Sequence, residues 1–139
     1  MSTISPVRNR IKELRQVKAS ELIPNPKNWR HHPDEQQTAM QGILDEVGYA
    51  DAVVAYETDA GLMLLNGHLR SDLAQDAEIP VLVLDVNEEE ADKILASFDF
   101  VSTLATIDEE RLQELTSTIT FDSQELDNIL SYMVQPNRS

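Results

Sequence analysis

The sequence contains no cysteine, which excludes disulfides, thiolate metal sites and cysteine redox chemistry, and which fits a reducing compartment. Aromatic residues are scarce at 5%, and Trp29 is the only tryptophan. No apolar run approaches the roughly 20 residues needed to cross a membrane, and the first thirty residues lack the apolar core of a secretory signal, so a cytoplasmic protein is expected. Cations are also few, with 11 Lys and Arg against 25 Asp and Glu and a net charge of -14. They are unevenly spread. Arg8, Arg10, Lys12, Arg15, Lys18, Lys27 and Arg30 face only Glu13 and Glu21 in residues 1–32, a balance of +5. Residues 33–139 carry -19 and should repel a nucleic-acid backbone, so any DNA contact is expected through residues 8–32.

At 139 residues with 41% hydrophobic content, one domain with helical appendages is the natural size. Val7, Ile11 and Leu14 follow helical spacing behind Pro6, which predicts a short basic helix over 7–16, with a brief strand over 17–20. Pro24, Asn25, Pro26 and Asn28 then deny helix and sheet to a stiff loop running to His32. Pro33 and Asp34 open a helix with Met40, Ile43, Leu44 and Val47 on one face and Gly48 as its left-handed stop. Val53–Glu57 and Leu62–Leu65, joined by Thr58–Gly61, read as a β-hairpin; Leu69–Ala74 gives two helical turns and Pro80–Asp85 a buried strand. Three helices follow, each announced by a cap and a Glu three positions later: Asn87 with Glu90, Thr106 with Glu109, Asp122 with Glu125. Their expected core faces are Ala91, Ile94, Leu95 and Phe98; Leu112, Leu115 and Ile119; and Leu126, Ile129, Leu130 and Met133. The expected class is α+β, a small mixed β-sheet with helical cover followed by C-terminal helices, divided into a leader 1–16, a domain 17–102 and an acidic helical tail 103–139.

The sharpest local signal is Asn66-Gly67-His68-Leu69-Arg70, where a strand ends at a glycine and a helix begins at once. Such a junction presents free N–H groups and the positive end of a helix dipole to an anion, and glycine lets a phosphate approach the backbone. Arg70 adds a bidentate charged fork, and His68 can donate to the same oxygens or move a proton near neutral pH. Asn25, Pro26, Asn28 and Arg30 lie on the polar loop expected beside this turn, together with Trp29. Adjacent His31 and His32 lack the ligand spacing of a metal site, and no metal ligand set is expected.

The succession Leu22 to Arg30, the helix over 36–48, the hairpin, Asn66 to Arg70 and the strand over 80–85 resembles the N-terminal domain of ParB-like proteins, including phage ParB-like domains and those fused to DNA methyltransferases. The resemblance implies a ParB/sulfiredoxin-type fold that binds a nucleoside triphosphate through Asn66, Gly67, His68 and Arg70, with Mg2+ as the companion ion in an enzymatic version. Within this superfamily, partitioning proteins bind and hydrolyse CTP, sulfiredoxins use ATP with a cysteine, free-serine kinases carry Gly-His-His-Arg, and some members are nucleases. Here His68 stands at the cysteine position, and Leu69 replaces the second histidine or arginine. The leading expectation is a nucleotide-binding accessory domain that works with DNA-modifying or DNA-partitioning machinery, with a protein partner on the C-terminal helices. Two alternatives remain. One is a nucleotide-dependent enzyme, an NTPase, kinase or nuclease with His68, Glu35 or Asp72 as the proton-transfer candidates. The other is a degenerate fold kept as a protein-interaction module.

Overall fold

The computed structural model describes residues 6–122, 124 and 126–128, with the backbone alone over 99–103. Its first element departs from the helical spacing of Val7, Ile11 and Leu14. Residues Ile11–Lys18 form strand β1, which pairs antiparallel with β4, Glu78–Leu84, from Ile11↔Leu84 to Lys18↔Glu78. The predicted helix over 7–16 is therefore wrong. A helix there would gain only local bonds, whereas the strand completes the ladder of β4 and seats Val17 in the core beside Ile79. The predicted strand over 17–20 is the end of β1 followed by a single 3-10 turn, Ala19–Glu21.

The remaining elements follow the sequence pattern closely. Helix α1 spans Asp34–Glu46, and Gly48 behind it has φ 100°. Strands β2, Val53–Thr58, and β3, Gly61–Asn66, form the expected hairpin, and α2 covers His68–Ala74. The sheet runs β1-β4-β2-β3, with β2 parallel to β4 and the other neighbours antiparallel. This is the α+β architecture with a mixed sheet and helical cover.

Alternation along the central strands sends side chains to two cores. Val53, Ala55, Leu62, Leu64, Ile79, Val81 and Val83 pack with Val17, Ala19 and Leu22 on one face. Val54, Tyr56, Leu65 and Leu84 pack on the other against Ala91 and Leu95 of α3, Glu88–Thr103. Burying side chains of this size stabilises the fold by roughly 1.5–3 kcal/mol each. Helix α1 lies against α2 on the first face.

Helix α3 starts with the reciprocal cap read from the sequence: Glu90 N–H donates to Asn87 Oδ1 at 2.8 Å and Asn87 N–H to Glu90 Oε1 at 3.0 Å. Helix α4, Glu109–Ser117, is capped by Asp108 rather than Thr106, because Asp108 directly precedes the first helical residue and accepts from Arg111 N–H. Its expected core face is not buried: Leu115 and Ile119 are exposed, and Phe98 of α3 is exposed as well. Glu125, Ile129, Leu130 and Met133, assigned to a third helix, lie outside the described residues. Among the described residues no helix is long and apolar enough to cross a membrane.

Candidate functional site

The candidate site is built where β3 gives way to α2. Gly67 has φ 91°, a left-handed conformation that L side chains rarely adopt. A Cβ there would lie 2.6 Å from Val53 Cγ1 and 3.1 Å from Arg70 Nη2. The glycine is thus demanded by backbone conformation and by packing against β2, a stronger reason than the phosphate approach that the sequence suggested.

A hydrogen-bonded loop is laid beside this turn. Ile23 donates to Leu62 O at 2.8 Å and accepts from Leu64 N–H at 2.9 Å, which seats the chain along β3. Asn25, buried in spite of its polarity, donates from Nδ2 to Leu64 O at 3.0 Å, and its Oδ1 accepts from Lys27 N–H at 2.9 Å. The far end is tied to α3, where Trp29 Nε1 donates to Leu95 O at 3.1 Å and Lys27 Nζ lies 2.8 Å from Asp92 and 3.4 Å from Glu88. The guanidinium of Arg30 sits 6.0 Å from the Trp29 ring centroid.

Between loop, α1 and turn lies a cavity of about 60 Å³ lined by Asn28, Trp29, Arg30, His32, Gln36, Met40, Leu95 and the run Leu65–Arg70. Thus Asn66, Gly67, His68 and Arg70 all line one cavity, with Asn28 and Arg30 from the loop. Asn25 and Pro26 instead line a separate cleft of about 510 Å³ with Lys27, Glu57, Asp59, Glu88 and Asp92. Glu35 and Asp72 are exposed and are not among the residues lining the 60 Å³ cavity.

The polar groups of the cavity are partly committed. His68 Nε2 accepts from Asn25 N–H at 3.4 Å, which leaves the ring proton of the neutral form on Nδ1. Burial holds the imidazole pKa below its ordinary value, with His32 adding to the effect and the Asp72 carboxylate opposing it. Arg70 reaches Ala52 O at 3.4 Å and Asp51 at 3.8 Å through Nη2, while its Nε is buried without a hydrogen-bond partner among the described residues. A buried guanidinium N–H without a partner is costly, and Arg70 is among the residues that line the cavity. The partners of Trp29 and Lys27 on α3 had no sequence signal, since they join residues more than sixty positions apart.

The cations expected to serve DNA are largely committed as well. Arg8, Arg10, Lys12, Arg15 and Lys27, at least five of the seven, lie within 4.0 Å of a carboxylate among the described residues.

No protein-family model and no curated protein matches the sequence. Among solved structures, a C-terminally truncated chromosome-partitioning protein ParB from Caulobacter crescentus, complexed with CTP-gamma-S, superposes with a TM-score of 0.62 at 14% identity, over 90% of this chain and 81% of that one. The chain has a ParB-like fold. Residues 28–30 of the loop and the Gly67 turn line one cavity, and the expected fold class holds.

Proposed function

We propose that this chain binds a nucleoside triphosphate by its phosphates at the cavity formed by Asn66, Gly67, His68 and Arg70, in support of DNA-partitioning or DNA-modifying machinery. The observation that carries the reading is one cavity lined by Asn66, Gly67, His68 and Arg70 of the turn together with Asn28 and Arg30 of the loop. The ParB-like fold supports the same reading, since its neighbour is described as complexed with CTP-gamma-S. At about 60 Å³ the cavity is far below the ~300 Å³ of an enclosed ligand pocket, so it suits a phosphoryl group with the nucleoside outside, across Trp29 and Arg30. A divalent ion would be carried in by the phosphates. Two of the three proton-transfer candidates, Glu35 and Asp72, stand outside the cavity and His68 alone of them lines it, which favours binding over turnover. The exposed Leu115 and Ile119 around α4 suit a protein partner.

The test is thermal unfolding with CTP, ATP, GTP and UTP, with and without Mg2+. At least one should raise Tm in proportion to the logarithm of its concentration, and Arg70→Ala should abolish the rise. If no nucleotide at roughly 1 mM, about 100-fold above a 10 μM Kd, moves the wild-type curve, the assignment is wrong.

A further inference from the structure

The sheet ends on β1 at one side and β3 at the other. The outer edge of β3 is met by Ile23 through its bridge to Met63; beside β1 no strand lies among the described residues. Ala19 N–H donates to Ala77 O in the register that pairs Val17 with Ile79 and Arg15 with Val81. The odd-numbered residues of this stretch therefore turn their backbone groups to β4, and Leu14, Gln16 and Lys18 turn theirs outward. An outward row of N–H and C=O groups is a template for another strand.

The side chains of β1 say which strand fits. Leu14 stands opposite Leu82, on the face whose other part is covered by α3, and it is 64% exposed; Ile11 is 50% exposed. Glu13 and Arg15 flank Leu14 with opposite charges and already contact one another within the strand. The segment Glu13-Leu14-Arg15 is its own antiparallel complement.

We infer that β1 pairs antiparallel with β1 of a second copy of this chain about a two-fold axis at Leu14. In that register Leu14 meets Leu14 of the other copy, and each Glu13 meets an Arg15. Moving the axis by one residue to Glu13 or to Arg15 sets like charges face to face, so the charges disfavour both neighbouring registers. The contact is isologous, closes on itself and joins the two four-stranded sheets into one. The opposite-charge pairs satisfy the charges that otherwise guard an open edge.

Sedimentation velocity on the full chain over a micromolar to millimolar concentration range tests this directly. The wild type should form a dimer, and Glu13→Arg and Arg15→Glu should each raise its dissociation constant by about tenfold or more, through two like-charge contacts per dimer. Mixing the two variants should restore dimers, because the cations of one chain then face the anions of the other. A wild type that stays monomeric throughout, a Glu13→Arg chain that associates like the wild type, or a mixture no tighter than its components would overturn the proposal. Leu14→Cys supplies an independent arm in a chain otherwise free of cysteine. Directly opposed residues of a hydrogen-bonded antiparallel pair have Cα atoms ~5.5 Å apart, within disulfide reach, so mild oxidation should cross-link dimers. Absence of that cross-link also counts against the assigned register.

Discussion

At Gly67 a left-handed φ of 91° and a contact with Val53 both require the absence of a side chain. Gly67→Ala should therefore destabilise the protein by about 2–4 kcal/mol in urea unfolding, strain and overpacking together; a change under ~0.5 kcal/mol would mean that the turn does not hold this conformation. His68 adds a pH signature. Its folded-state pKa is depressed, so between that value and the unfolded value of ~6.5 the unfolded chain binds more protons, and stability must rise with pH. Stability is accordingly lost as pH falls below ~6.5, because the unfolded chain takes up a proton that the folded ring, accepting from Asn25 N–H, refuses until its own lower pKa is reached. His68→Asn should flatten the dependence in that window, and an unchanged slope would place its origin elsewhere. At this scale Asn66, Gly67, His68 and Arg70, singled out in the sequence, line one cavity, but Gly67 was given a ligand-facing reason, because the closeness of Val53 is a tertiary fact with no local pattern.

Among elements, the segment leading into β1 is tied to α3 by a guanidinium–carboxylate fork. Arg10 Nη1 lies 2.6 Å from Glu90 Oε2, and Nη2 lies 3.0 Å from Oε1. The guanidinium, with the Asn87 N–H, holds the Glu90 carboxyl pKa down at about 2. A depressed carboxyl contributes stability that is complete above its unfolded pKa of ~4.3 and is lost as pH falls through that value toward about 2. Glu90→Gln should reduce the acid-induced fall in Tm between those limits, and a variant that loses Tm as steeply as the wild type would show that the fork does not matter. Hairpin, α1, α2, β4 and the α3 cap were legible because each carries a local period, turn or cap. Strand β1 was not. Only Val17 of its eight residues is buried, so no alternation survives, and its chance helical spacing misled. Helix α4 shows the converse, an apolar face with correct period of which Leu115 stays exposed.

Across the whole molecule, a net charge of -14 and the pairing of at least five of the seven N-terminal cations with acids among the described residues leave little to replace counterions on DNA. Duplex DNA should bind weakly at ~150 mM salt, and a submicromolar affinity there would show that the ion pairs open to serve DNA. The fold therefore directs attention to the cavity rather than to the basic segment. The most direct measurement of the central claim is a 1H–15N NMR titration of the full chain with CTP and Mg2+. The account predicts concentration-dependent shifts centred on Asn28, Trp29, Asn66, Gly67, His68 and Arg70, including the Trp29 indole N–H. A spectrum that does not change with any nucleoside triphosphate, or shifts centred on residues away from this cavity, would contradict it.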